Sequence, residues 1–176
     1  CIFGHLLLVR CPKIKRKNGS PFMSPVFTSV LRDFVAPLFR RPKGLQVAAL
    51  CTRGSGADKQ VLLVTSRGTG RWIIPKGWPI RGLASSQAAL QEAWEEAGVK
   101  GATADTDPIG SYAYDKTMGS GLPMPVETLV YSVAVNGLEN DFPEAGQRKR
   151  QWVTPQEAAN MVDEPELKSI LRVLPV

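Results

Sequence analysis

From Ser85 to Gly98 the chain reads SSQAALQEAWEEAG, with Glu92, Glu95 and Glu96 at i, i+3 and i+4. This spacing predicts a helix with Ser85 or Ser86 as its cap, helix-forming Ala88, Ala89, Leu90, Ala93, Trp94 and Ala97, and Gly98 as its stop. At about 100° per residue the three carboxylates share one narrow face, opposite Leu90 and Trp94. Like charges at such spacings destabilise a helix by roughly 0.2–0.5 kcal/mol per pair, and Glu92 stands far from the favourable N-terminal dipole. A cluster that opposes its own helix calls for a counter-charge. Hard divalent cations, Mg2+ first and Mn2+ as a substitute, prefer carboxylate oxygens and bridge to phosphates. The plain alternative is a solvated acidic face.

The frame around the helix separates these readings. From Gly77 the order is five residues, Leu83, seven residues, then Gln91-Glu92-Ala93-Trp94-Glu95-Glu96-Ala97-Gly98-Val99. This resembles the Nudix box, the loop-helix signature of hydrolases that cleave nucleoside diphosphates linked to another moiety. Gly77, Glu92, Ala93, Glu95, Glu96, Gly98 and Val99 match the box; Leu83 stands where it has Glu, and Gln91 where it has Arg. The resemblance covers about residues 45–173. It implies an α/β fold, a Nudix-type α/β/α sandwich with a mixed β-sheet.

The resemblance also implies a metal site of Glu92, Glu95 and Glu96 with the main-chain carbonyl of Lys76, and a tight loop at Gly77. The general base in the family comes from the box carboxylates or from a glutamate in a later loop, which points here to Glu96, Glu144 or Glu127. The segments VTSRGTGRWIIPKG and GQRKRQWVTPQEA are similar to the diphosphoinositol polyphosphate phosphohydrolase branch, whose members also cleave diadenosine polyphosphates. That likeness implies phosphate contacts from Arg67, Arg71, Lys76, Arg148 and Arg150. The expected partner is a small-molecule diphosphate or polyphosphate, and a homodimer is compatible. Leu83 and Gln91 motivate a second expectation, a Nudix-fold module that binds a phosphorylated ligand without cleaving it.

Composition narrows the field further. The 176 residues are 43% hydrophobic and 22% charged, ordinary for a globular chain. Residues 1–43 carry nine Lys or Arg against one acid, and the remainder 13 against 15, so the net +6 belongs to the N-terminal segment. That segment is expected to be a basic extension, partly flexible, with a short helix over 24–41 where Val26, Val30, Phe34 and Leu38 recur. The hydrolase domain is expected over 44–176. The basic run at 13–20 reads as a solvated tail before it reads as a nucleic-acid contact. The apolar run at 2–9 is too short to span a membrane. Cys1, Cys11 and Cys51 form no close pair, which suits a reducing cytoplasm. Walker, GxSxG and Rossmann glycine patterns are absent.

The β-rich runs Gln46–Arg53 and Gln60–Arg67 predict a hairpin, followed by strands at 72–75, 109–114, 128–135 and 151–153. Helices are expected over 155–162, capped by Thr154, and 165–173. Trp152, in a predicted strand, is expected in the core rather than as a base-stacking platform.

Overall fold

The computed structural model describes residues 44–117, 121 and 123–174; the extension over 1–43, including the helix expected at 24–41, lies outside the described residues. In chain order the elements are β1 (Gly44–Arg53), β2 (Gln60–Thr65), β3 (Trp72–Ile73), β4 (Lys76–Gly77), α1 (Ser85–Ala97), β5 (Val99–Lys100), β6 (Thr103–Ala104) and β7 (Gly110–Thr117). They continue with β8 (Pro123–Ala134), β9 (Gly137–Leu138), β10 (Arg150–Val153), α2 (Pro155–Met161) and α3 (Pro165–Arg172).

Val47 through Cys51 are all fully buried, as expected of a strand at the centre of a sheet covered on both faces. β1 holds that place. It runs parallel to β8, from Gly44 opposite Val126 to Thr52 opposite Ala134. On its other edge it pairs antiparallel with β2, as the expected hairpin, and with β4 through Val47–Gly77 and Ala48–Lys76. The main path is β10, β2, β1, β8, β6, with β3 on β2 and β7 on β8. The sheet is therefore mixed.

Alternation along β1 sorts its side chains into two cores. Val47, Ala49 and Cys51 join Leu62 and Val64 beneath Ala88, Ala89, Ala93 and Ala97 of α1. Ala48 and Leu50 join Val61 and Leu63 against Ala158 and Ala159 of α2 and Leu167 and Leu171 of α3. One helix on one face and two on the other make the α/β/α sandwich. Trp152 packs against the first core with Arg53 4.3 Å above its ring, away from the cleft described below. Among the described residues no helix is long and apolar enough to cross a membrane.

Local expectations held where the chemistry is local. Thr154 caps α2 by accepting from Glu157 N, and Glu157 reaches back to Thr154 N, the reciprocal pattern of a capping box. The cap of α1 differs from the serine expected. Its N-cap is Ala84, whose N–H is satisfied by Gln87 Oε1 at 3.2 Å. The expected strand at 72–75 is split, because Pro75 has no N–H to continue a ladder: Trp72–Ile73 pairs with β2, and Lys76–Gly77 with β1.

Candidate active site

α1 reaches the sheet through alanines, whose small side chains let the helix lie close to β1 and β4. Its acidic face is thereby turned to one side of the sheet. Glu92, Glu95 and Glu96 line a cleft of about 840 Å³, together with Gly77, Glu144 and Arg148. Glu92 lies directly on Gly77: a Cβ at position 77 would overlap the Glu92 carboxylate. Glycine here is demanded by close approach.

Each of the other carboxylates has a partner. Glu96, buried, accepts from Lys76 N at 3.1 Å through Oε2 and from Arg148 Nη2 through Oε1. Glu95 Oε1 accepts from Gln91 Nε2 at 2.6 Å, one turn back on the same helix. Glu144 receives Arg148 Nε at one oxygen and Arg67 Nη1, at 3.0 Å, at the other. The loop expected around residues 140–147 is pinned to the helix, since Glu144 N donates to Glu95 O at 3.1 Å. Glu92 has no hydrogen-bond partner among the described residues. Burial, then repulsion from Glu96, Glu95 and Glu144, pushes its carboxyl up to about 7. Burial moves Glu96 in the same direction, opposed by Arg148 and the Lys76 N–H.

The opposite wall is basic and aromatic. Burial lowers the Lys76 ammonium to about 8, against the pull of Glu96, and its Nζ stands 5.4 Å over the Tyr114 ring. Arg71 pairs with Glu164 at 2.8 Å and Asp163 at 3.4 Å and lies 5.8 Å from the same ring. Tyr114 OH donates to Gln46 Oε1 at 2.6 Å. Arg67, 61% exposed at its side chain, sits at the rim.

Of the residues singled out in the sequence, Arg67, Arg71, Lys76, Gly77, Glu92, Glu95, Glu96, Glu144 and Arg148 are gathered at this cleft. Arg150 is not part of its lining. Its Nη1 donates to Ala97 O at 2.8 Å and Glu139 O at 2.7 Å, and Nη2 to Asn140 Oδ1, so it closes the C-terminus of α1 rather than facing a phosphate. Gly98 beside it has φ +70°, and a Cβ there would meet Glu139 O at 2.5 Å; its stop role thus has both a conformational and a steric basis. Glu127 lies on β8 outside the cleft lining and accepts weakly from Ser111 at 3.4 Å. Leu83 is 44% exposed and also outside the lining.

Sequence reasoning missed Gln46, Trp78, Tyr114, Lys116, Asp163 and Glu164, all of which line the cleft. Gln46, Tyr114 and Lys116 are polar or aromatic residues on strands and Asp163 and Glu164 precede α3, whereas Trp78 stands in the loop after β4. Among the described residues no three acidic, histidine or cysteine side chains already stand together as a finished cation site; Arg148 lies between Glu96 and Glu144 instead.

Residues 42–174 match the model of the NUDIX domain. Over 125 residues the chain is 30% identical to human diphosphoinositol polyphosphate phosphohydrolase 3-beta, spanning 69% of this chain and 71% of that protein. Over 123 residues it is 31% identical to the mitochondrial Nudix hydrolase 16 of Arabidopsis thaliana, spanning 66% of each. In fold it is similar to a binary complex of C. elegans Ap4A hydrolase, with TM-score 0.56 and 23% identity, over 73% of this chain and 93% of that one. The NUDIX match spans the strands that build the sheet as well as the box helix, and its relatives are named as phosphohydrolases: the chain belongs to the NUDIX domain family and is a Nudix-type pyrophosphohydrolase.

Proposed function

We propose that the protein hydrolyses a diphosphate linkage in a phosphate-rich small molecule, with Mg2+ held by Glu92, Glu95, Glu96 and the main-chain carbonyl of Lys76, and Mn2+ able to substitute. The observation that carries this reading is Glu92: half-buried, crowded by three other carboxylates, and without a described donor. An all-oxygen donor set in which Glu92 and Glu95 have no paired cation among the described residues suits a hard divalent ion. When bound, such an ion neutralises phosphate charge and acidifies water.

The protein's own groups do the rest. Arg67, Arg71 and Lys76 face the cleft as phosphate ligands, set beside the acidic helix so that a diphosphate reaches both walls. Of the base candidates, the two in the cleft differ in cover: Glu96 is 8% exposed at its side chain and doubly covered, whereas Glu144 is 16% exposed and paired at the rim with the exposed Arg67. Arg67 turning to a phosphate frees Glu144 Oε1, which then takes the proton of the attacking water. The relatives named above point to two substrate classes, diphosphoinositol polyphosphates and dinucleoside polyphosphates such as Ap4A; nucleoside diphosphate derivatives are a third.

The test is a panel of these substrates assayed with Mg2+ and with chelator. Phosphate or nucleotide release from at least one class is expected, and its loss with EDTA; turnover of none, or turnover indifferent to EDTA, would refute the reading. A second expectation follows from Glu92. Its folded value near 7 exceeds the ordinary 4.5, so the folded state binds this proton more tightly than the unfolded chain does. The contribution is full below about pH 4.5 and lost as pH rises through 7. Metal-free protein is therefore expected to melt lower at pH 8 than at pH 5.5. Mg2+ should raise Tm more at pH 8, where no proton competes for the carboxylate; melting curves at both pH values with EDTA or Mg2+ check this.

A further inference from the structure

The acidic face of α1 and Glu144 come from different parts of the chain, and what joins them is a single guanidinium. Arg148 precedes β10, and its side chain is 4% exposed. Nη2 binds Glu96, Nε binds Glu144, and Nη1 donates to Thr65 O at 2.8 Å at the end of β2. The backbone that carries it is clamped as well: Lys149 N donates to Thr65 Oγ1 and Thr65 N to Lys149 O, each at 3.0 Å. The fork is thus fixed to the sheet as well as to both carboxylates.

On α1 itself the residue preceding Glu92 is the neutral Gln91, which gives one hydrogen bond, to Glu95. No cation on the helix between Ser85 and Ala97 answers its glutamates. We propose that Arg148 is the positioning residue of the acidic cluster: by holding Glu96 Oε1 and Glu144 from a clamp on β2, it leaves Glu92, the second oxygen of Glu95 and the remaining lone pair of Glu96 Oε2 for a cation. Rigid outer partners of this kind set how well a ligand group meets a metal. This assigns Arg148 a different task from the phosphate contact expected from the sequence, and it rests on the metal-dependent reading above.

The two tasks differ in what they alter. A phosphate ligand lost by mutation raises KM, whereas a lost positioning residue lowers metal affinity and kcat. Mn2+ binding followed by electron paramagnetic resonance, without substrate, reads the first effect directly. Arg148→Ala is expected to weaken Mn2+ binding about 10- to 100-fold and to lower kcat with KM within about threefold. Arg148→Lys, which keeps the charge but not the fork, is expected to fall between and serves if the alanine variant does not fold, as judged by circular dichroism. Gln91→Arg, supplying a guanidinium from the helix instead, should improve Mn2+ binding more in the Arg148→Ala background than in the unaltered protein.

Unchanged or tighter Mn2+ binding in the Arg148 variants would overturn the proposal, the tighter result making Arg148 a competitor of the ion. A rise in KM at constant kcat would overturn it in favour of phosphate binding, and equal benefit from Gln91→Arg in both backgrounds would do the same for the coupling. If the unaltered protein binds no Mn2+, the metal-dependent reading itself fails and this one with it.

Discussion

Glu92→Gln is expected to cost at least a hundredfold in turnover while making the metal-free protein more stable at pH 8. Both effects have one cause. At that pH Glu92 carries a charge that burial and three neighbouring carboxylates disfavour, and the amide has nearly the same shape without it. Removing the charge relieves repulsion in the empty cleft, so Tm in EDTA should rise. The same charge is what a divalent ion would use, and Lewis-acid stabilisation of a phosphoryl transition state is worth several kcal/mol; a hundredfold loss corresponds to about 2.7 kcal/mol. Mg2+ should accordingly stop raising Tm in the variant. A variant that keeps activity, or one that is less stable without metal, would show that Glu92 is a structural residue. Such opposition between activity and stability is common where a site concentrates like charges.

Gly77→Ala is expected to reduce activity by roughly a hundredfold with little loss of stability. The strand backbone at 77 is not in the left-handed region, so alanine meets no conformational penalty there. The obstacle is the Glu92 carboxylate, which occupies the space of a Cβ. A flexible side chain gives way cheaply, so Tm should change by only a few degrees. Its carboxylate then leaves its place over the loop, and misplacing a reacting group by about 1 Å can cost on the order of a hundredfold. Activity and melting measured side by side check this: a large drop in Tm would mean that the loop, not the glutamate, moved.

What was legible in the sequence was what depends on near neighbours. The helix from Ser85 to Gly98 followed from spacing and a stop glycine, the β1–β2 hairpin from two β-rich runs across a glycine-containing turn, and the α2 cap from Thr154 three residues before Glu157. The box frame carried the family and, through it, the sandwich. Even within that range the serine cap of α1 failed, because Gln87 reaching back to Ala84 N serves equally well and a short polar run offers several residues that can close a helix.

The remainder was decided by contacts between distant parts of the chain. Nothing local announces that β1 lies parallel to β8, since parallel partners are joined by long crossovers and share no turn. The same distance hid the difference between Arg148, just before β10, and Arg150, its first residue: one is directed to Glu96 and Glu144, the other to the carbonyls of Ala97 and Glu139. By itself the sequence determined which carboxylates share a helix face and where that helix stops, because spacing and backbone preference act over a turn or two. Only the tertiary structure decided which cation answers those carboxylates and which oxygens are left open, because burial and charge pairing are set by whatever the fold brings alongside.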